Sequence, residues 1–131
     1  MTHDINIHHE DNHESASSYL VGEIRNLLVN SNRDFSIGLS GGNTPKLTYS
    51  MMAEKFDDLS KTYLWTIDDR WIEEDNDLSN QRMINEYFER TDANILKFEF
   101  TSSSPESDAK KYEDKLRSTI QIFDVAILGM G

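Results

Sequence analysis

Three short segments carry the residues whose types and spacing could support chemistry, and each follows a predicted strand. The first, residues 40–45, places two adjacent glycines before a proline. The second puts two carboxylates and a guanidinium, Asp68, Asp69 and Arg70, directly after an apolar stretch. The third, residues 128–131, is a Gly-Met-Gly turn after another apolar stretch. Backbone amides at a glycine-rich turn can hold an anion, and a carboxylate beside a guanidinium can orient and polarise a bound carbonyl compound.

The first segment predicts a strand-to-helix turn that holds a phosphorylated ligand. Its candidate binding residues are Ser40, Gly41, Gly42, Asn43 and Thr44. We expect Thr44 to be the N-cap and Pro45 the first residue of the following helix. The segment has neither the Gly-Lys-Ser/Thr ending of a nucleotide-binding loop nor a third glycine, which favours a smaller ligand. The alternative is a plain tight turn before a well-capped helix.

Charged side chains in the second segment are energetically costly unless they have a partner or a ligand, because the segment directly follows a strand predicted to be buried. Asp68 and Asp69 can point in different directions, one toward Arg70 and one toward a ligand, and Arg70 can bind an oxyanion or a phosphate. The alternative is an ion pair between an aspartate and Arg70 that only fixes the loop. Ser79 and Asn80, at a predicted helix start, could turn polar groups toward the same pocket.

The elements that position these segments follow from a hydrophobic period that switches between two and about 3.6 residues. The predicted strands are Ile5 with Ile7, residues 35–39, residues 63–67, Leu96 to Phe100 and residues 123–128. The predicted helices bury Ala16, Leu20, Ile24, Leu27 and Leu28; then Leu47, Met51 and Met52; then Met83, Ile84, Tyr87 and Phe88; and last Ala109, Tyr112 and Leu116. Ser79 and Ser104 are predicted N-caps.

Strands separated by helices of this length predict one doubly wound α/β domain over residues 1–131. Its mostly parallel, Rossmann-like sheet has helices on both faces. In such sheets ligands bind beyond the carboxyl ends of the strands, so the three segments should lie along one edge.

Composition excludes several classes of function. Lys and Arg number 13 against 24 Asp and Glu, and the net charge of −11 disfavours nucleic acid and anionic membranes as partners. Cysteine is absent, which removes thiolate metal sites and Cys nucleophiles and suits a reducing, cytoplasmic location. His8, His9 and His13 fall within six residues, but alternation along a strand would send His8 and His9 to opposite faces. We therefore expect no metal site.

The three segments, together with Trp65, Trp71, Ser79 and Asn80, resemble the 6-phosphogluconolactonase family, which shares a superfamily with the glucosamine-6-phosphate deaminases. The resemblance covers nearly the whole chain but only the N-terminal part of the family. Lactonases have Asp-Glu-Arg where this chain has Asp68-Asp69-Arg70, which leaves the role of Asp69 open. Deaminases usually have a Tyr after the acidic pair, so Arg70 favours the lactonases.

The resemblance implies hydrolysis of 6-phospho-D-glucono-1,5-lactone in the oxidative pentose phosphate pathway without metal or organic cofactor. Arg70 would stabilise the developing oxyanion, and Asp68 would orient a hydroxyl group or Arg70. The substrate-binding residues would be Asn80, Gly129 and Gly131 with the five residues of the first turn. A distant phosphate group held by that turn would anchor the lactone.

The resemblance also implies that the general base is a His in an Asp-Gly-His segment that follows Gly-Met-Gly in the family. All four histidines of this chain lie within residues 3–13 instead, and we do not expect them to approach the ligand. We therefore expect an N-terminal part of a longer domain, with little activity alone and self-association through exposed apolar sheet surface. A deaminase with Asp68 as base, or a sugar-phosphate-binding fragment without catalysis, remains open.

Overall fold

The computed structural model describes residues 3–130, which form one four-stranded sheet and four helices. In chain order the elements are α1 (His13–Val29), β1 (Phe35–Leu39), α2 (Lys46–Lys55), β2 (Thr62–Thr66), α3 (Asn80–Phe88), β3 (Asn94–Leu96), α4 (Pro105–Thr119) and β4 (Val125–Ile127). All pairings are parallel, in the order β3-β2-β1-β4. The predicted α/β fold is confirmed.

The strand order reverses at β1. The chain moves outward from β1 to β2 and β3, and then returns to pair β4 with the other side of β1. Such a reversal opens a crevice at the carboxyl ends of the two strands beside it, because the connections leave them in opposite directions. The segments after β1 and β4 therefore flank the expected ligand position.

Successive side chains along each strand point to opposite faces of the sheet, and the two faces have different neighbours. Phe35, Ile37, Leu39 and Leu64 join residues of α1, α2 and α3 in one hydrophobic core. Trp65 points to the opposite face, where its ring lies 4.4 Å from that of Phe123. On this second face, Tyr112 of α4 donates a hydrogen bond to the carbonyl of Thr66 at the end of β2 (2.8 Å).

Several local predictions are confirmed. β1 has the predicted bounds, and Ser79 and Ser104 cap α3 and α4 by accepting from the amides of Arg82 and Ser107. A strand at an edge of the sheet is confirmed, but it is β3 at Asn94–Leu96, and the predicted continuation from Lys97 to Phe100 is wrong. β2 begins and ends one residue before the predicted bounds.

Other local predictions are wrong. Residues 3–10 form no strand, and Ile5 and Ile7 are each 87% exposed, because no neighbouring strand pairs with them. α1 ends at Val29, and its buried face contains Ser17, Val21 and Ile24, which leaves Leu27 55% exposed. On α4 the buried residue is Asp108, whereas Ala109 is exposed. The helical period was right for both α1 and α4, but the buried face of each helix is formed by neighbouring residues rather than by the predicted ones.

Candidate functional site at the carboxyl edge of the sheet

Asn80 joins the turns that follow β1 and β2. A Cβ atom on Gly41 would lie 2.0 Å from Asn80 Oδ1, so only glycine permits the observed close approach. Asn80 Nδ2 donates to the carbonyl of Asp68 (2.9 Å), and Asn80 Oδ1 accepts from Arg70 Nη1 (3.3 Å). Four of the predicted site residues are therefore in one contact network, although they come from three separate stretches of sequence.

Asp69 caps the N-terminus of α3. Its carboxylate accepts hydrogen bonds from the amides of Arg70 (2.8 Å), Asn80 (2.7 Å) and Gln81 (2.9 Å). The amides of Asn80 and Gln81 lie in the first turn of α3 and have no partner within the helix, and a negative charge is stabilised at the positive end of a helix dipole. Asp69 thus has a structural role that the sequence left open. The contact spans 11 or 12 residues, so no local spacing rule would have found it.

Arg70 is held by the backbone rather than by a carboxylate. Its Nη1 donates to the carbonyl of Leu78 (2.9 Å) as well as to Asn80. Within residues 3–130 it forms no ion pair with Asp68 or Asp69, so the alternative reading of this segment as an Asp-Arg pair is wrong. Nε and Nη2 of Arg70 have no hydrogen-bond partner in the same part of the chain. The exposed guanidinium therefore has a fixed position and unused donors.

The side chain of Asp68 is exposed, whereas its backbone carbonyl belongs to this network. Its carbonyl accepts hydrogen bonds from Thr66 Oγ1 (2.6 Å) and Asn80 Nδ2, which fixes the backbone at the end of β2. The carboxylate itself accepts no hydrogen bond from any residue between 3 and 130. Asp68 and Asp69 therefore do point in different directions, one outward and one into a helix terminus.

Asp108 fixes the chain just beyond Arg70. This buried carboxylate on α4 accepts hydrogen bonds from Trp71 Nε1 (3.0 Å), the Thr101 amide (2.8 Å) and Thr101 Oγ1 (2.5 Å). The bonds from Thr101 and then that from Trp71 lower the pKa of Asp108 below its usual value. Since Trp71 follows Arg70 directly, α4 helps to hold the loop that carries the guanidinium. No local sequence pattern indicates this contact.

The glycine-rich turn differs from its prediction at the helix start. Gly42 has a φ of +88°, a conformation that favours glycine. α2 begins at Lys46 with Pro45 as its N-cap residue, and no side chain caps it. Thr44 is therefore not the N-cap, because its exposed side chain bonds to no helix amide. The carbonyl of Asn43, which is also exposed, accepts a hydrogen bond from the amide of Lys46 (3.3 Å), the first amide of α2.

A cavity of about 180 Å³ lies where the strand order reverses, between α1, the glycine-rich turn and the end of β4. Of the predicted binding residues, Ser40, Thr44 and Gly129 line it. Ser40 Oγ is buried without a hydrogen-bond partner, while the carbonyl of Ser40 accepts from Tyr49 Oη (2.7 Å). His13 also lines the cavity, contrary to the expectation that the histidines lie away from the site. Gly131 lies outside the described residues.

The remaining described histidines do not form a metal centre. His8 stacks on Tyr19 with ring centroids 3.4 Å apart, and its Nε2 lies 3.4 Å from Glu10. Among residues 3–130, no three His, Cys, Asp or Glu side chains are grouped so that they could hold a metal ion. No helix in the same range is long and apolar enough to cross a membrane.

Known proteins similar to this chain share both its sequence pattern and its fold. A family model described as glucosamine-6-phosphate isomerases/6-phosphogluconolactonase matches residues 8–131. A 6-phosphogluconolactonase of Thermotoga maritima is 35% identical over 112 residues, which are 83% of this chain and 50% of that protein. One of Synechocystis sp. is 34% identical over 107 residues, covering 73% of this chain and 45% of the relative.

Solved structures agree with the sequence relatives. The crystal structure of a 6-phosphogluconolactonase from Shewanella baltica superposes with a TM-score of 0.85 at 28% identity, over 93% of this chain and 55% of that one. The Thermotoga maritima structure gives a TM-score of 0.78 at 34% identity, over 88% and 56%. The chain spans about half the length of the curated relatives it matches.

Proposed function

Because the chain belongs to the glucosamine-6-phosphate isomerase/6-phosphogluconolactonase family, we propose that it is the N-terminal, substrate-holding part of a 6-phosphogluconolactonase. The reaction is hydrolysis of 6-phospho-D-glucono-1,5-lactone to 6-phosphogluconate, and we expect it in the cytoplasm. The observation that carries this proposal is the Arg70 guanidinium, which is fixed by Asn80 and the Leu78 carbonyl while two of its donor groups remain unused.

Arg70 has the role of charge stabilisation in this proposal. Water attack on the lactone carbonyl creates an oxyanion, and a donor that is already in position lowers the barrier because it need not reorganise during the reaction. The bonds to Asn80 and Leu78 supply that fixed position. Asp68 presents its carboxylate on the same loop and would orient a substrate hydroxyl group. The step requires neither a metal nor an organic cofactor.

The phosphorylated sugar lactone would bind along the carboxyl edge of the sheet. We assign its contacts to the turn after β1, to Asn80 and to the turn after β4. The contributing residues would be Ser40, Gly41, Gly42, Asn43, Thr44, Asn80, Gly129 and Gly131. An anionic ligand is compatible with an acidic protein, because charges beyond a Debye length of about 8 Å are largely screened at physiological salt.

The general base would come from the part of the relatives that this chain does not span. We therefore expect the 131-residue chain to bind the product 6-phosphogluconate but to hydrolyse the lactone no faster than it hydrolyses spontaneously. A hydrolysis rate well above the spontaneous rate would show that the chain contains its own base.

Binding of 6-phosphogluconate, measured by calorimetry, tests the assignment of Arg70. We expect Arg70→Ala to weaken binding about tenfold, as for loss of a hydrogen bond to a charged group. Arg90→Ala, at an exposed position after α3, is the matched control and should bind like the unchanged chain. If the unchanged chain and both variants bound with equal affinity, Arg70 would not be a binding residue. In a chain of the relatives' full length, Arg70→Ala should lower turnover at least about tenfold.

The deaminase alternative predicts a different product. Under this alternative, a chain of the relatives' full length would release ammonia from glucosamine 6-phosphate and fail to hydrolyse the lactone. In that case Asp68 would act as a base, and the lactonase proposal would be wrong.

We further propose that two copies of this chain associate through β4. This strand is at an edge of the sheet, and exposed apolar residues flank it: Ile122, Phe123, Leu128 and Met130. An unpaired strand edge beside apolar side chains favours pairing with a second chain. Light scattering should show a dimer that dissociates on dilution and is weakened by Phe123→Ser. A monomer at all concentrations would contradict this proposal.

A further inference from the structure

We propose that Asp108 is a positioning residue for Arg70: through the indole of Trp71, this carboxylate on α4 sets where the Arg70 guanidinium meets the ligand. The inference rests on the proposed function for the identity of the ligand, 6-phosphogluconate, and it deepens that function because it adds α4 to the site. No residue of α4 is among the sequence-predicted site residues. Asp108 does not touch the ligand and acts only through its neighbours.

The contacts of α4 hold both ends of the loop that carries Arg70. Tyr112 Oη donates to the carbonyl of Thr66 at the end of β2 (2.8 Å), just before the loop. Asp108 accepts from Trp71 Nε1 (3.0 Å), just after Arg70. Asp108 and Tyr112 are four residues apart, so they lie on the same face of the helix. One helix therefore fixes the entry and the exit of this short loop.

The chemistry of Asp108 suits a residue that holds loops together. Its side chain is 1% exposed, and it forms no ion pair within residues 3–130. A buried carboxylate is costly without partners, and it can only accept hydrogen bonds. Its donors are the Trp71 indole and, on the loop before α4, the amide and hydroxyl group of Thr101. Because the carboxylate requires these donors, it fixes both loops against α4.

The indole of Trp71 depends on Asp108 for its orientation. Trp71 is 41% exposed, so burial alone does not fix the ring. The ring is held by the bond to Asp108 and by an edge contact with Phe100, with ring centroids 5.1 Å apart. Without that bond the indole N–H can turn to water, and the backbone of Trp71 is released together with that of Arg70 directly before it.

A small displacement of Arg70 is enough to matter. Within residues 3–130 its guanidinium is held only through Nη1, by the carbonyl of Leu78 and by Asn80 Oδ1. The bond to Asn80 is already long at 3.3 Å, so a further shift would break it. Misplacement of a preorganised donor by even about 1 Å costs much of its effect. We therefore expect the contact from α4 to influence the ligand through Arg70.

The two tryptophans provide a direct test of the contact. Trp65 Nε1 is buried without a hydrogen-bond partner, so its indole signal is an internal reference for that of Trp71. Asp108→Asn keeps the size of the side chain but replaces one acceptor by a donor. In NMR spectra of the 131-residue chain it should move the indole N–H signal of Trp71 and leave that of Trp65 in place. Asp114→Asn, exposed on the same helix, is the matched control and should move neither. An unmoved Trp71 signal in Asp108→Asn would overturn the proposal.

Binding of 6-phosphogluconate, measured by calorimetry, tests the positioning role. We expect Asp108→Asn to weaken binding about three- to fivefold, less than Arg70→Ala does, because the guanidinium is displaced but still present. In the Arg70→Ala background, Asp108→Asn should weaken binding no further, because the two residues act through one contact. Additive losses would show that Asp108 only supports the fold, and the positioning role would be wrong. Asp114→Asn should bind like the unchanged chain.

Trp71→Phe supplies the same test if Asp108→Asn does not fold. It removes the indole donor but keeps an aromatic ring beside Phe100, and it leaves both bonds from Thr101 to Asp108. We expect Trp71→Phe to weaken binding by a similar factor and to have no effect when Arg70 is already Ala. Unchanged affinity in Trp71→Phe would contradict the role of the bond between Trp71 and Asp108.

The outcomes separate this inference from the proposed function. If Arg70→Ala weakens binding and neither Asp108→Asn nor Trp71→Phe does, the positioning role is wrong and the lactonase proposal stands. If Arg70→Ala leaves the affinity unchanged, the assignment of Arg70 fails and the positioning role fails with it, even where the indole signal of Trp71 moves. If the unchanged chain does not bind 6-phosphogluconate, both proposals are wrong.

Discussion

On one face of the sheet, Ile37, Leu39 and Leu64 are completely buried beneath α1, α2 and α3, whereas on the other face Trp65 and Phe123 border an open groove beside α4. The first face has a continuous hydrophobic core. The groove on the second face has a volume of about 450 Å³, and Tyr112 and Leu116 of α4 form part of its wall.

The two faces also differ in how their helices are attached. The buried residues of α3 include Met83, Ile84 and Phe88, which are apolar. The buried residue of α4 is Asp108, and α4 is fixed mainly by polar contacts, such as the bond from Lys115 Nζ to the carbonyl of Lys97 (2.8 Å). A regular helix over a parallel sheet therefore need not complete a hydrophobic core. We therefore expect substitutions on the two faces to differ in cost.

Ile84→Ala should have the largest effect. Ile84 is fully buried on the first face, and removing its side-chain atoms leaves a cavity that the surrounding core fills only partly. We expect the free energy of unfolding to fall by about 3 kcal/mol in urea titrations. Leu27→Ala, at a position that is 55% exposed, is the control and should change it by less than about 0.5 kcal/mol. Similar losses for both would mean that the first face is not the stabilising core.

Gly38→Ala should be next. A Cβ atom at position 38 would lie 2.6 Å from Cζ2 of Trp65 on the second face, which is too close unless that buried ring shifts. We expect a loss of about 2 kcal/mol, as for overpacking, together with a change in tryptophan emission. Gly22→Ala meets no atom within 4 Å and should be neutral or stabilising. An unchanged emission spectrum and stability in Gly38→Ala would show that the second face is loosely packed at Trp65.

Tyr49→Phe should cost about 1 kcal/mol, because it removes the hydrogen bond to the carbonyl of Ser40. Burial raises the pKa of Tyr49 to about 12, although the hydrogen bond to Ser40 opposes the shift. The folded state thus holds this proton more tightly than the unfolded state, whose tyrosines titrate near pH 10. The contribution of Tyr49 to the free energy of unfolding is complete below about pH 10 and is lost as the pH rises toward 12.

Unfolding measured between pH 8 and 12 checks this prediction. Tyr49→Phe should lose less stability across that range than the unchanged chain does. Tyr19→Phe, which alters an exposed ring, is the control and should keep the full alkaline loss. Burial also raises the pKa of Tyr112 on the second face, so Tyr112→Phe should reduce the alkaline loss too. Identical pH profiles in all variants would contradict the assignment.

Leu116→Ala should have the smallest effect. Leu116 borders the groove on the second face and is only partly buried, so its removal exposes little new apolar surface. We expect a loss below about 1 kcal/mol in the same urea titrations. A loss that matches that of Ile84→Ala would show that α4 is packed as firmly as α3, and the contrast between the faces would disappear.

The sequence predicted the elements whose signals are local. Ser79 and Ser104 accept from amides three residues ahead, and β1 has the bounds that its sequence predicted. Local alternation failed for Ile5 and Ile7, because a strand also requires a partner. Helical spacing located α1 and α4 but placed Leu27 and Ala109 inward, because the direction of the packing surface is set by the neighbouring elements.

The α/β fold, the order of the three turns and the family to which their residues belong were all predictable from the amino-acid sequence. Hydrophobic periodicity and the residue types at turns depend only on residues that are close together in the sequence, so they are visible without a structure. The tertiary structure decided that Asp69 caps α3, that Asn80 contacts Gly41 and holds Arg70, and that His13 reaches the cavity at the end of β1. These contacts join residues far apart in the chain, and only the parallel pairing of β1 with both β2 and β4 brings their turns to one edge.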